Sequence, residues 1–297
     1  MAITAQMVKD LRERTGAGMM DCKMALQETN GDLEAAVDWL RTKGLAKAAK
    51  KSGRVAAEGL IGIAEAGNRA AMVELNSETD FVSRNDRFQA LAKGISNAAL
   101  KTDGELDKVL GAELSGGQSV SQAITDAIAT IGENMTLRRT ATLAVQDGVV
   151  ASYVHAAIAP GLGKIGVIVA LGSTGDKAKL AALGRQIAMH VAAANPLAVD
   201  VDRLDAETVK RERAVFAEQA RESGKPENII DKMVEGRLRK FYEEAVLLKQ
   251  QFIMDTERTV EAVLKDAAKD VGGAVTVNDF VAFPLGEGIQ RDAEEAA

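Results

Sequence analysis

The chain has 297 residues, 46% hydrophobic and 27% charged, with 37 Lys+Arg against 43 Asp+Glu and a formal net charge of −6. At roughly 150 residues per domain, this predicts about two domains with enough apolar material for real cores. A pI near 5.3 argues against a general phosphate-driven nucleic-acid binder, 3% aromatic residues against a base-stacking platform, and one cysteine against an internal disulfide. No apolar run approaches 18 residues and the N-terminal stretch has no hydrophobic signal core, so the expectation is a soluble protein of a reducing cytoplasm, with no membrane and no direct nucleic-acid partner.

Residues 1–54 read as a small three-helix unit, with apolar Val8 and Leu11, then Met20, Met24 and Leu26, then Leu33, Ala36, Val37 and Leu40 at i, i+3, i+4, i+7. Breaks fall at Thr15-Gly16-Ala17-Gly18 and Asn30-Gly31, and Asp32 is placed to cap the third helix. Residues 43–54, rich in lysine and alanine, read as a charged helical linker ending in a boundary near 54. Over 55–146 the pattern changes to strand-like runs at 60–63 and 71–75 around the Gly67-Asn68 turn, which predict a hairpin. Helical spacing follows at Phe88, Leu91, Ile95 and Ala98 and at Val120, Ile124, Ile128 and Ile131, and 137–145 alternates again.

Residues 147–205 repeat that order, with strand-like 149–153, a glycine-rich turn, strand-like 165–171 and a helix over 176–194 carrying Leu180, Leu183, Ile187, Val191 and Ala194 on one stripe. The expectation is a diverged duplication, giving a core of two similar hairpin-plus-helix subdomains. Residues 206–248 form a charge-rich pair of helices around Ser223-Gly224-Lys225-Pro226, with a narrow apolar stripe of Val209, Phe216, Ile230, Met233, Leu238 and Phe241, predicted to project as an inserted antiparallel hairpin. Residues 249–286 return to the second subdomain with a strand at 251–254, a helix over 259–269 and a strand over 275–283. Residues 287–297 are an acidic tail, expected to be disordered after Gly288. The fold class is α+β.

Chemistry-bearing residues are few. His155 and His190 are the only histidines, and neither has Cys or carboxylate neighbours at metal-ligand spacing. His190 flanks an apolar helix face and reads as a satisfied core or edge histidine, His155 as open to a surface contact role, and Cys22 as a buried thiol. Gly161-Leu162-Gly163-Lys164-Ile165-Gly166 matches GxGxxG, yet Val167-Ile168-Val169 continues it as a strand where a phosphate cradle needs a helix, so a hairpin turn is expected. No cofactor is expected. Two features stand out: Thr79-Asp80-Phe81-Val82 between a strand and a helix, and Met19-Met20 with Lys23 opening a helix. By pattern alone, Phe81 or Val82 staples the following helix while Asn85 or Asp86 caps it, and the methionines default to core.

Residues 11–23, Leu-Arg-Glu-Arg-Thr-Gly-Ala-Gly-Met-Met-Asp-Cys-Lys, resemble the N-terminal signature of the bacterial translation elongation factor Ts family. Glu74-Leu75-Asn76-Ser77-Glu78-Thr79-Asp80-Phe81-Val82 is similar to its second signature, and 187–193, 223–226 and 233–237 resemble further family segments in the same order. The resemblance implies a guanine-nucleotide exchange factor for the GTPase elongation factor Tu that catalyses no bond change. It further implies a ubiquitin-associated-like N-terminal domain, a two-subdomain core, and a helical hairpin used by some members in homodimer contacts. Carried onto this chain, it implies that Met19, Met20 and Lys23 dock on the nucleotide-binding domain and that Thr79, Asp80, Phe81 and Val82 dislodge the partner's Mg²⁺. His155 and Val234 are implied as further partner contacts. The short acidic tail and the long turn at 160–164 depart from some relatives. Two rivals stand beside this reading: an enzyme holding a nucleotide on the Gly161 turn, and a helical adaptor binding through residues 1–54.

Overall fold

The computed structural model describes residues 3–15, 17–222, 224 and 226–290. The chain begins with helices α1 (Ala5–Thr15), α2 (Met19–Glu28) and α3 (Leu33–Lys51), packed around Leu11, Cys22, Ala25, Leu26 and Ala36. Asp32 caps α3 by accepting the Ala35 N–H at 3.0 Å. One expectation fails here. Met20 and Met24 do not join the core, because the turn at Gly18 starts α2 with Cys22, Ala25 and Leu26 facing inward and leaves the methionines outside. The stretch expected as a charged helical linker is helical to Lys51 as the continuation of α3, and this second half of α3 lies on α6 (Val120–Ile131). A Cβ on Gly44 would sit 3.1 Å from that of Ala129, Ala48 packs on the adjoining core, and Arg41 donates to Gln122 at 3.2 Å.

Two antiparallel sheets form the body. The first is ordered β3-β2-β1-β5, from β1 (Glu58–Glu65), β2 (Arg69–Ser77), β3 (Met135–Ala144) and β5 (Leu162–Gly163). The second is ordered β4-β6-β9, from β4 (Gly148–His155), β6 (Ile165–Gly172) and β9 (Thr276–Pro284). Strand alternation sorts side chains into three layers of packing. Leu60, Val73, Leu75 and Leu137 face α4 (Asp86–Ala99), α5 (Leu106–Gly111) and α6. Ile61, Met72, Val150, Ile168 and Phe283 meet between the sheets. Val149, Val167, Val169 and Leu171 face α7 (Lys177–Ala194) and α10 (Val260–Val271). The order of layers is therefore helix, sheet, sheet, helix.

Helices α8 (Ala206–Arg221) and α9 (Glu227–Ala245) pack on each other through Phe216, Ala220, Ile230, Val234 and Leu238. Phe241 lies in a separate cluster at their base with Ala198, Leu204 and Val246. The strand expected over 251–254 shortens to β7 (Gln251–Phe252), because Ile253 and Met254 form the exposed turn to β8 (Asp255–Thr259), a strand whose polar sequence hides it. The acidic-tail expectation falls partly on 291–297, outside the described residues; Gly286 and Glu287 are ordered parts of the fold.

One ionic node ties the first sheet to the end of β9. Glu74 is fully buried on the inter-sheet face of β2. Its carboxylate accepts hydrogen bonds from Arg138 at 3.1 Å, from Arg139, from Asn76 at 3.1 Å and from the Gly286 N–H at 2.8 Å. A bulge places Leu137 opposite Leu75 and Arg139 opposite Glu74, leaving Arg138 as the extra residue, so both arginines reach one carboxylate. Arg139 also stacks 4.2 Å over Phe283 and donates to the Pro284 carbonyl at 2.8 Å. Burial alone would raise the Glu74 pKa; the Gly286 amide, Asn76 and Arg139 together bring it below its ordinary 4.5. Its contribution to stability is therefore present above about pH 4.5 and lost only in more acidic solution. Glu74→Ala removes the carboxylate shared by two arginines, leaving Arg139 to Glu287 and Pro284 and Arg138 to the Glu287 carbonyl, and is expected to cost about 3 kcal/mol in urea unfolding at pH 7, whereas an exposed pair such as Lys210–Glu207 can be removed for less than about 1 kcal/mol.

Candidate functional site

The most distinctive surface feature is the connection from β2 to α4. After Ser77 the chain makes a short 3₁₀ turn over Asp80–Arg84 and enters α4, whose N-terminus is capped by Asn85 accepting the Arg87 and Phe88 N–H groups at 3.0 and 3.3 Å. Nearly every polar group before the tip has an internal partner. The Ser77 hydroxyl donates to the Thr79 carbonyl at 3.0 Å, Glu78 pairs with Arg54 at 3.2 Å and accepts the Asn134 N–H, and Glu133 accepts both the Thr79 N–H and its hydroxyl at 2.9 and 2.6 Å. Beyond the tip, Ser83 donates to the Asp80 carbonyl and Gln89 donates to the Ser83 carbonyl at 3.0 Å.

At the tip, the side chains of Asp80 and Phe81 project into solvent, with Phe81 75% exposed, and Arg84 is exposed at the far end of the same turn. Val82, expected with Thr79, Asp80 and Phe81 in the Mg²⁺-dislodging segment, is 5% exposed and sits in the core with Leu60, Val73 and Phe88. The expected staple is thus real but belongs to Val82, and Asn85 is the cap. A phenylalanine held outward on a braced 3₁₀ turn is an apolar contact waiting for a surface; a carboxylate beside it adds charge at the same point.

The other candidates lie apart in the fold. Met19, Met20 and Lys23 share an exposed stripe of α2, opposite Cys22, Ala25 and Leu26, with Met20 at 72% exposure. Burial pushes the Cys22 thiol above its ordinary pKa, so it carries little thiolate. His155 ends β4, exposed, with its Nδ1 3.2 Å from the Tyr153 hydroxyl, beside an open cleft of about 460 Å³ lined by Ile63, Tyr153, Ile158, Pro160 and Arg185. Val234, expected as a further partner contact, is buried between α8 and α9.

The Gly161 turn is a packing device. Leu162–Gly163 pairs with β1, Gly161 needs φ of 75°, and a Cβ on Gly166 would lie 2.5 Å from Ile61 Cγ2, so these glycines let two sheets approach. β6 continues directly as a strand, which leaves no helix N-terminus for a phosphate. No group of three or more His, Cys, Asp or Glu suited to a metal occurs among the described residues, and no described helix is long and apolar enough to cross a membrane. Glu133 and Glu78 are the residues that sequence reasoning overlooked; Glu133 meets Thr79 across 54 positions, so no local spacing announces the pair.

Fold and site together define an α+β protein that carries a braced, exposed apolar tip between β2 and α4. A family model described as Elongation factor TS matches residues 78–287, more than two thirds of the chain. Elongation factor Ts of Sinorhizobium fredii is 62% identical over 298 aligned positions, covering 100% of this chain and 97% of that protein. The proteins of the same name from Agrobacterium fabrum and Bartonella henselae are 60% and 58% identical, covering 99% and 100% of this chain and 96% and 97% of their own lengths. The chain belongs to the elongation factor Ts family, whose members serve the elongation stage of protein biosynthesis.

His190 is fully buried on α7. Its Nε2 donates to Gln250 Oε1 at 2.8 Å, because the Gln250 amide nitrogen already donates to the Ala194 and Glu244 carbonyls at 3.2 and 2.7 Å. Its Nδ1 accepts the Ile253 N–H at 3.3 Å. Both nitrogens are satisfied only in the neutral ring. Burial pushes its pKa below the ordinary 6.5, opposed in part by the Gln250 hydrogen bond. The unfolded chain therefore binds the proton more readily, and stability falls as pH drops below about 6.5. Thermal melts between pH 7.5 and 5.5 are expected to show that loss, and His190→Gln, less stable throughout, should lose less over the same interval. In urea unfolding, Phe81→Ala should stay within about 0.5 kcal/mol of the parent, while Val82→Ala should cost about 2 kcal/mol.

Proposed function

We propose that this protein is a guanine-nucleotide exchange factor for elongation factor Tu, the activity that its family membership implies. It makes and breaks no covalent bond and works in the cytoplasm. The observation that carries the reading is the tip itself: in a segment that matches the family signature, the fold satisfies the surrounding polar groups and leaves Asp80 and Phe81 outside on a rigid base.

In this reading Phe81 enters the GTPase beside its nucleotide and displaces apolar packing there, while Asp80 rearranges the polar network around the bound Mg²⁺. Mg²⁺ and the phosphate-binding amides hold GDP electrostatically, so disturbing that clamp releases nucleotide without cleaving it. Residues 1–54 act as a ubiquitin-associated-like docking unit through Met19, Met20 and Lys23. The two sheets with their outer helices act as related halves of one body, with α8–α9 as an inserted arm. His155 adds a contact at the far end of β4, and Val234 acts only by holding α8 against α9.

Magnitudes require several contacts. A 10⁴-fold acceleration of GDP release corresponds to roughly 5.5 kcal/mol, and burying one phenylalanine side chain supplies about 1.5–3 kcal/mol. The α2 stripe and the second sheet's end must supply the remainder as docking energy that is realised in the strained ternary complex. Linkage makes the effect reciprocal: a factor that weakens GDP binding is itself bound more weakly when GDP is present, so incoming nucleotide displaces it.

Catalytic amounts of the protein are expected to accelerate release of labelled GDP from the cognate GTPase in stopped flow, and Phe81→Ala should slow that release far more than it lowers thermal stability. An unchanged release rate at saturating factor would falsify the reading.

A further inference from the structure

We propose that Glu133 is a positioning residue for the Asp80–Phe81 tip. The inference rests on the exchange reading above and adds to it a residue 54 positions away. The end of β2 and the exit of α6 are joined by a reciprocal clamp. Glu133 Oε2 accepts the Thr79 N–H at 2.9 Å and Oε1 accepts the Thr79 hydroxyl at 2.6 Å, while Glu78 returns the contact by accepting the Asn134 N–H. The Asn134 amide in turn donates to the Arg54 carbonyl at 2.7 Å.

The clamp has a firm base. Gly132 closes α6 with φ of 93°, its N–H on the Ile128 carbonyl at 3.0 Å, and its own carbonyl accepts from Lys51 of α3. On its other side the tip is anchored by buried Val82 and by Gln89 on the Ser83 carbonyl. Only Asp80 and Phe81 lie between the two anchors, so each anchor sets the direction in which Phe81 points. A carboxylate suits the task because it accepts two hydrogen bonds at once, both strengthened by its charge.

Removing Glu133 leaves Phe81 chemically intact but frees the Thr79 N–H and hydroxyl, so that on the β2 side only the Ser77 hydroxyl on the Thr79 carbonyl and the Glu78 contacts remain. A wedge whose direction is not fixed must be ordered during the exchange step, whereas docking through the α2 stripe is untouched. The expected signature is a split. Glu133→Ala should lower the maximal rate of GDP release at saturating factor by about tenfold or more, with the half-saturating concentration shifted less than about twofold. Glu133→Gln keeps an acceptor for the Thr79 N–H and a donor for its hydroxyl oxygen, and should recover most of the rate. Thr79→Val combined with Glu133→Ala should add little to the loss, because both remove one interaction.

Amide hydrogen exchange on the full chain gives a readout that does not depend on activity: Thr79 should lose protection in Glu133→Ala and keep it in Glu133→Gln, and this comparison stands even if the alanine variant is too unstable for kinetics. The proposal is overturned if folded Glu133→Ala retains the full maximal rate, or if rate and half-saturation change only in proportion to the unfolded fraction. If Phe81→Ala is slow in the same assay, that result removes Glu133's role and leaves the exchange reading standing. If the parent protein itself accelerates nothing, both fall together.

Discussion

A buried carboxylate decides which way strand β2 faces. Glu74 lies on the same side of the strand as Ala70 and Met72, between the sheets, while Ala71, Val73 and Leu75 face the helices. Sliding β2 by one residue would turn Glu74 toward the hydrophobic helix layer and Leu75 toward the arginines, so the ionic node makes the alternative register costly. The bulge in β3 that brings Arg138 and Arg139 to the same carboxylate is part of this arrangement. Everything downstream on the strand, including the turn that carries Phe81, inherits its direction from that choice.

The segment 74–82 then divides its residues between holding and reaching. Glu74, Asn76, Ser77, Glu78 and Thr79 each form hydrogen bonds within the chain, and Val82 is buried. Asp80 and Phe81 alone point outward. This separation explains how an exposed aromatic ring can be tolerated on a stable fold: the cost of presenting it is offset by a dense internal network around it, and the ring is free of any packing duty. The same division occurs on α2, where Cys22, Ala25 and Leu26 hold the helix and the methionines are left outside.

Much of this was legible in the sequence because local periodicity reports on burial. The stripe Leu33, Ala36, Val37, Leu40 marked α3, the Gly67-Asn68 turn marked the β1–β2 hairpin, and Asp32 and Asn85 stood where caps belong. That His190 is a satisfied histidine also followed from its flanking apolar positions, whereas its burial in the core and its partner Gln250, 60 residues on, did not. Other features depend on partners that no local pattern reveals. Periodicity alone could not tell Phe81 from Val82, since both lie in one short turn and only the position of α4 selects the buried one. The lysines of 43–54 suggested a charged helical linker, yet Lys47 pairs with Asp21 at 2.9 Å and Lys51 bonds the end of α6. β5 is two residues long, β8 is polar, and Glu133 meets its partner across the 3₁₀ turn and three helices, α4 to α6.

The Gly286 amide that completes the Glu74 cluster lies 212 residues after it, and β9, which completes the second sheet, comes in the same final stretch. During synthesis on the ribosome, the first sheet therefore emerges with its central carboxylate only partly satisfied, and it stays so until residue 286 has been made. A product that stops ahead of residue 286 would keep the Arg138 and Arg139 pairs to Glu74 but lack the backbone amide that completes the carboxylate's shell and ties it to the end of β9.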